Sequence, residues 1–476
     1  MVFSQLQFIF YFLPAVLLAY FLTPRRLRNV TLVVASIAFY MWGAVAFVPI
    51  LLASIALNFA FGLLIDIAQD RSALFAARAA LTGGIVFNLG LLAYFKYTNF
   101  FVSQLSLVLN DARVASISWT AILLPIGISF YTFHSMSYMI DVYRRTSRAF
   151  RNPIDFSLYV TFFPQLIAGP IVRFHQIAEA IRHRRSDLQG LGEGSIRFSY
   201  GLFKKILIAD PIGEIVAPIF STSPAHLDMS VAWLGAFAYT FQLYFDFSGY
   251  TDMAIGLARM FGFHLPENFI RPYSALSITD FWRRWHMTLS AWFRDYLFIP
   301  LGGSRISHAR TYFNLALVFV LVGLWHGANW TFLVWGAYHG ALLIIERVSG
   351  QRVFEADKFA PLRQAATFLL IVLGWVMFRA DSVGYALQYY HALVTTGNAA
   401  FSAAFDAALT HRNVAALALA ATTLFLPRNL AIGRWLAEDS SPVVGVARFA
   451  LLLVVFPISL AAAVFTDFRP FLYFQF

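Results

Sequence analysis

The stretch TYFNLALVFVLVGLWHGANWTFLVWGAYHGALLII, Thr311 to Ile345, runs for 35 residues without an Asp, Glu, Lys or Arg. A helix that crosses the hydrocarbon core of a bilayer needs about 20 predominantly apolar residues, so this window is long enough for two passes. The 37-residue window Asn29 to Ile65 has the same property, and Met1 to Pro24, Val114 to Ile140 and Phe449 to Thr466 are charge-free as well. Shorter apolar stretches at Ala79 to Phe95, Phe156 to Val172, Met229 to Phe245, Gln364 to Phe378 and Asn413 to Pro427 bring the expected total to about eleven or twelve spans. The predicted fold class is all-α: a polytopic transmembrane helical protein with additional re-entrant or interfacial helices.

Composition agrees. Of 476 residues, 59% are hydrophobic and 12% charged, on the apolar side of any soluble globular domain. Length alone would suggest about three soluble domains, but the apolar windows run the length of the chain. We therefore read residues 1–476 as a single membrane-embedded domain. The opening MVFSQLQFIFYFLPAV has neither a basic n-region nor a small-residue cleavage site, so the first segment is expected to stay as an anchor. The absence of cysteine excludes disulfides, thiolate metal sites and an acyl thioester on the protein itself. The net charge of +11 comes from 35 basic and 24 acidic residues, only four of them Lys (Lys96, Lys204, Lys205, Lys358). In a membrane protein such a balance points to loops lying on anionic membrane lipid, not to nucleic acid.

Arginine asymmetry orients the first half. Arg25, Arg26 and Arg28 follow the first span, Arg71 and Arg78 the third, and Arg144, Arg145, Arg148 and Arg151 the fifth, while the intervening loops carry almost no basic charge. By the positive-inside rule these arginines are cytoplasmic and the N-terminus lies outside.

The segment SITDFWRRWHMTLSAWFRDYLFIPL, Ser277 to Leu301, differs from the spans. Ser277 and Asp280 suit a helix start, through capping and the helix dipole. Trp282, Trp285, Leu289, Trp292, Phe293 and Tyr296 then share one helical face, leaving Arg283, Arg284, His286, Ser290 and Arg294 on the other. A basic, aromatic amphipathic helix of this kind lies in the membrane interface or re-enters the protein beside a wet cavity.

Ionisable groups inside apolar spans are costly and mark function by default. His326 sits near the middle of the Thr311 to Ile345 window, with Gly323 and Gly327 leaving room for a substrate or another helix. Asn329, one turn on, is placed to hold a ring nitrogen and fix the tautomer. A neutral imidazole can then accept a hydroxyl proton, although a histidine that bonds two helices together fits the same pattern. His339, in the same window, reads as a packing or interfacial group. His286 is open to two readings, an acid/base group and an interfacial histidine. Asp246 and Asp252, six apart around Gly249, would point to different sides of an unbroken helix, so pairing with Arg259, Arg271 or Arg284 to line a cavity is favoured over catalysis. No metal is expected: no two His lie at i and i+4 and there is no Cys. A Walker loop, a Gly-x-Ser-x-Gly elbow and a dinucleotide fingerprint are all absent.

LLPIGISFYTFHSMSYMIDVYR (Leu123 to Arg144), FFPQLIAGPIVRF (Phe162 to Phe174), LYFDFSGYTDMAIG (Leu243 to Gly256), ENFIRPYSALSITDFWRRWHMTLSAWFRDYL (Glu267 to Leu297), GLWHGANWTFLVWGAYHG (Gly323 to Gly340) and the terminal PFLYFQF (Pro470 to Phe476) recur here in a known order. On them the chain resembles the membrane-bound O-acyltransferase family, most of all its bacterial alginate O-acetyltransferase branch. The likeness covers residues 1 to about 380 and returns at the extreme C-terminus, while Asn398 to Val444 shows little of it. The resemblance implies a ring of helices around a catalytic tunnel, with His326 as catalytic histidine and His286 as a second histidine. Arg283, Arg284, Arg294, Asp246, Asp252 and Asn329 then become donor-binding or tunnel-lining groups. It implies acetyl-CoA as the donor, with no bound cofactor, and a bacterial inner-membrane location. The implied partners are periplasmic serine-esterase-like acetyltransferases and the machinery of an exported polysaccharide. Alternatives are another acceptor (peptidoglycan, cellulose or teichoic acid) and a transporter without covalent chemistry. The transporter would call for inverted hydropathy repeats, and none is visible.

Overall fold

A computed structural model describes residues 2–111, 119–350, 359–396, 403–465 and 469–472. Parts of the stretches read above, including Val114 to Ser118, Lys358, Asn398 to Ser402, Thr466 and Tyr473 to Phe476, lie outside the described residues. Every regular element among the described residues is a helix. Five stretches there are long and apolar enough to cross a membrane: Arg25–Asp70, Leu74–Leu109, His308–His326, Ala360–Arg379 and Pro442–Phe465, with Phe8–Leu22 as a shorter apolar helix. Arg25–Asp70 is two helices, Arg28–Ala44 and Val48–Asp70, joined by a short turn, so the Asn29 to Ile65 window does supply two rods.

Two expected spans are corrected. Phe156 to Val172 overlaps two short helices, Pro153–Thr161 and Phe163–Leu166, because the chain leaves the helical conformation at Phe162 (ψ 109°) and Ser36 Oγ takes up the Phe163 N–H at 3.0 Å. Asn413 to Pro427 overlaps the helix His411–Thr422, twelve residues, too short to cross alone.

The chain divides into two compact units, Met1–Leu191 with Leu257–Pro266, and Gly192–Gly256 with Glu267–Phe476. In the first, the Ile128–Tyr143 helix is buried on nearly all sides. The helices Val48–Asp70 and Leu74–Asp111 each approach that buried helix closely at a glycine: a Cβ on Gly62 would stand 2.0 Å from the Tyr138 ring, and one on Gly84 2.3 Å from the Met139 sulfur. Asn58 and Asn88 hydrogen-bond each other across the two long helices, at 2.6 and 3.3 Å. Asp66, buried, gathers Arg145, Arg148 and Arg151 within 3.3 Å.

The second unit holds all of the predicted site residues. The Thr311 to Ile345 window forms a hairpin of two helices, His308–His326 and Trp330–Val348. Their backbones nearly touch. A Cβ on Gly323 would lie 2.2 Å from the Phe332 carbonyl oxygen, and one on Gly336 2.3 Å from that of Phe319. Small residues bring transmembrane helices together in this way because, in lipid, packing rather than the hydrophobic effect drives association. A second close pair joins the Leu188–Phe203 and Met229–Met260 helices within this unit. A Cβ on Gly201 would lie 2.5 Å from the Gly249 carbonyl, and one on Gly256 2.6 Å from that of Gly194.

The single amphipathic helix expected over Ser277 to Leu301 is corrected to three pieces: Ile278–Trp282, Met287–Phe293 and a π-helical turn at Arg294–Phe298. The break lies at His286, which takes up a left-handed conformation (φ 43°) that interrupts the helix. The Met287 N–H donates to the Asn268 carbonyl at 3.0 Å and the Thr288 N–H to Asn268 Oδ1 at 3.2 Å, which replaces the helical ladder across the break. Ser277 caps the first piece as expected, its Oγ accepting from the Asp280 N–H at 3.0 Å.

Replacing Gly336 by Leu puts a branched side chain against the Phe319 backbone. We expect a loss of at least about 1–3 kcal/mol, the usual range for overpacking. It is read as a lower thermal midpoint of the purified protein in detergent, with Gly445→Ala, a helical glycine with open space around it, as the control.

Candidate functional site

His326 is the last residue of its helix, and Gly327 beyond it is extended. The ring is 5% exposed and stands nearly edge-on to three aromatic rings: Trp335 at 5.2 Å and 88°, Phe378 at 5.2 Å and 79°, and Trp325 at 5.0 Å and 73°. Of the two occupants foreseen for the space at Gly323 and Gly327, a neighbouring helix takes it. The Trp330–Val348 backbone lies against Gly323, and the Phe332 ring lies where a Cβ on Gly327 would be. Asn329, expected on a ring nitrogen of His326, instead caps the Trp330–Val348 helix, accepting from the Thr331 N–H at 3.1 Å and donating to the Asp381 carbonyl at 3.0 Å. The helix ends at His326, so the one-turn spacing that would bring the two together is lost.

His286 is fully buried, with the Phe247 ring edge-on at 4.9 Å and Trp325 at 6.1 Å. One indole, that of Trp325, thus touches both imidazoles. His286 Nδ1 lies 3.1 Å from Asn268 Oδ1, which also accepts from the Thr288 N–H and the Thr288 hydroxyl (2.9 Å). A backbone N–H only donates, so the Asn268 atom is the oxygen and Nδ1 carries the proton. Neutral His286 therefore has its acceptor lone pair at Nε2.

Asp246 and Asp252 do point to different sides of an unbroken Met229–Met260 helix, but their partners differ from those expected. Asp246 pairs with Lys205 at 2.7 Å and accepts from the Leu472 N–H at 2.8 Å; Asp252 pairs with Arg197 and Lys204, both at 2.6 Å. The correction is topological: the Leu188–Phe203 helix and the π turn Lys204–Ala209 lie along the Met229–Met260 helix at the glycine contacts and reach the carboxylates first. All five of these side chains are buried. Arg197 also bonds Glu267. The Lys205 ammonium sits 4.5 Å over the Phe471 ring, which together with the Leu472 N–H pins the described end of the terminal motif.

Arg283 and Arg294 are exposed, and Arg294 pairs with Asp295 at 2.8 Å. Arg284 is held by Asp280 at 2.7 Å and donates to the Arg428 carbonyl at 2.8 Å. Burial pushes the Asp280 carboxyl up, but the hydrogen bonds from Arg284 and the Leu276 N–H outweigh it and hold the group below the usual carboxylate range.

Asn268, Lys204 and Lys205 carry no role in the sequence reading, and Arg271 enters it only as a possible partner for Asp246 or Asp252. Asn268 orients His286; its signal is a lone amide in the aromatic run ENFIRPY. Lys204 and Lys205, two of only four lysines, stand side by side in an apolar run, which marks them as buried partners for acids elsewhere. Arg271 has no such signal: it is left-handed (φ 46°) and buried, with Nε and Nη1 lacking a hydrogen-bond partner among the described residues.

Residues 112–383 match the profile of MBOAT, the membrane-bound O-acyltransferase family. The chain is 48% identical to a probable alginate O-acetylase AlgI of Azotobacter vinelandii, over 88% of this chain and 83% of that one. It is 44% identical to the corresponding Pseudomonas putida protein over the whole of both chains, and 37% identical to a peptidoglycan O-acetyltransferase of Helicobacter pylori over 83% and 80%. The chain belongs to the membrane-bound O-acyltransferase family and is a polytopic membrane O-acyltransferase.

Two predictions follow the geometry. Asn268→Ala leaves the Thr288 N–H, the Thr288 hydroxyl and His286 Nδ1 without their acceptor. It should destabilise the protein by about 1–3 kcal/mol, and acyl transfer per folded protein should fall further than in Thr288→Val, which removes only the hydroxyl donor. Lys205→Met takes the shared cation from the buried Asp246 and from Asp210, each 2.7 Å from the ammonium, and should cost about 3–5 kcal/mol. Adding Asp246→Asn should recover part of that loss, as read from membrane abundance and thermal midpoint.

Proposed function

We propose that this enzyme carries acetyl groups from cytoplasmic acetyl-CoA to an exported polysaccharide, alginate or an alginate-like polymer, in the bacterial inner membrane with its N-terminus on the periplasmic side. The observation that carries the reading is full-length identity to alginate O-acetylase relatives together with a buried histidine at a helix end inside an aromatic shell.

His326 takes the proton of the acceptor hydroxyl as its oxygen attacks the thioester carbonyl carbon. The C–S bond breaks as the new C–O bond is completed, and the proton held by His326 passes to the departing thiolate of coenzyme A. The oxyanion that forms on the carbonyl oxygen is stabilised by His286 in its charged form, with a second proton taken from solvent before substrate binds, or by a nearby donor. Arg283 and Arg294, exposed beside the site, bind the donor's phosphates, and Arg284, fixed by Asp280, holds that segment in place. Periplasmic serine-esterase-like acetyltransferases receive the acetyl group and pass it to the polymer. A peptidoglycan acceptor is the second reading, favoured by the Helicobacter relative.

The test is transfer of label from radiolabelled acetyl-CoA by the protein in liposomes, with a matched periplasmic partner and either polymer as acceptor. His326→Ala should lower transfer by about 100-fold or more, the scale of a lost general base. Transfer at the wild-type rate by a correctly folded His326→Ala protein overturns the mechanism, and labelling of peptidoglycan alone overturns the acceptor.

A further inference from the structure

The first unit holds a cavity of about 440 Å³ whose lining contains none of the residues assigned above to acyl transfer. Five arginines line it: Arg25 and Arg26 from the turn between the first two helices, Arg28 at the start of the second, and Arg182 and Arg184 at and just after the end of the Phe174–Arg182 helix. Asp155 is the one carboxylate in the lining, and it already accepts from Asn29 Nδ2 at 2.7 Å. Arg25 and Arg26 are exposed and make no ion pair among the described residues.

Arg184 is built into the wall. Its Nε donates to the Tyr20 hydroxyl and the Phe261 carbonyl, both at 3.1 Å, its Nη1 donates to Asn29 Oδ1 at 2.6 Å, and the guanidinium lies 4.3 Å over the Phe263 ring. Its Nη2 is buried with no hydrogen-bond partner among the described residues. Arg28 is fixed likewise, by Ser186 Oγ at 2.6 Å and over the Tyr20 ring at 4.8 Å. Five guanidiniums repel one another unless an anion sits among them, and their planar forks match phosphate oxygens.

The neighbouring surface says where that phosphate comes from. Leu18 and Leu22, one turn apart at the end of the first helix, are exposed, as are Val30 and Val34, one turn apart at the start of the second. The arginine turn thus sits where two apolar, outward-facing helix ends meet, at the edge of the hydrocarbon. We propose that this cavity binds the phosphate headgroup of an anionic phospholipid, whose acyl chains lie along Leu18, Leu22, Val30 and Val34.

The test is native mass spectrometry of the purified full-length protein in detergent, titrated with cardiolipin, phosphatidylglycerol and phosphatidylcholine, with inorganic phosphate and coenzyme A as soluble competitors. Wild type should retain the two anionic lipids and release phosphatidylcholine. In Arg25→Gln/Arg26→Gln, which removes two exposed side chains without buried partners, cardiolipin binding should weaken on the order of tenfold or more, at about 1 kcal/mol per lost cation. Arg184→Gln should weaken it too, and the double variant decides the matter if Arg184→Gln fails to fold. Equal cardiolipin affinity in wild type and double variant, or equal retention of phosphatidylcholine, overturns the proposal. Displacement of cardiolipin by coenzyme A or inorganic phosphate at like concentration overturns the lipid source.

Discussion

The second unit depends on five charged side chains that have no water to dissolve them. Lys204, Lys205, Arg197, Asp246 and Asp252 are all buried, and each cation lies within 2.7 Å of a carboxylate oxygen. Taking such ions out of water is expensive, and their attraction offsets that only when the geometry is close and the remaining donors are satisfied. The geometry is close because glycine faces glycine: with Gly201 against Gly249 and Gly256 against Gly194, the two backbones come near enough for lysine stems to span the gap. Apolar contact alone tolerates small sliding. A network of paired ions does not, so it sets the register of the Met229–Met260 helix against its neighbour.

That register reaches the candidate site through one ring. Phe247 follows Asp246 on the same helix and stands edge-on to His286. Asn268 holds the other side of the imidazole, and the chain can offer Asn268 to both His286 and Thr288 because His286 itself is left-handed. A non-glycine residue there stores strain of order 1–3 kcal/mol, and such strain persists only where the surroundings over-determine it. Glu346, from the Trp330–Val348 helix, supplies a further constraint by accepting from the Ile278 and Thr279 N–H groups. The broken segment is thereby tied to the helix hairpin that carries His326.

What could be read in the sequence was what depends on composition and short spacing. The charge-free windows gave the all-helical membrane class and the hairpin over Thr311 to Ile345, and Ser277 capped as its side chain requires. What could not be read depends on distant residues. Ser277 to Leu301 has a continuous amphipathic period, yet Asn268, nine residues before it, competes for its backbone donors and breaks the helix at His286. Asp246 and Asp252 were legible as buried acids, but the choice of lysines over Arg259, Arg271 or Arg284 is made by helix packing. Asn329 was assigned by helical spacing across a helix that had already ended. For Ser277 to Leu301 and for Asn329 a local period held only for an unbroken rod, and a tertiary hydrogen bond or a helix end interrupted that rod; for the two aspartates the rod is intact and a neighbouring helix supplies the partners.

The two histidines are held by different means, and the difference suits the reaction proposed. His286 is fixed by a polar partner that selects its tautomer, which suits a group that must present one nitrogen reliably. His326 is enclosed by Trp325, Trp335 and Phe378, which fix the ring plane by edge contacts and leave it 5% exposed. A thioester brought to that ring meets a hydroxyl acceptor in competition with water, present in vast excess outside. The aromatic shell weights the competition by exclusion, since a site that admits an oriented hydroxyl but little bulk water favours transfer over hydrolysis. The glycines that bring the hairpin together serve the same end: without Cβ atoms at 323 and 327, Phe332 and its backbone close the space in which water would otherwise stand.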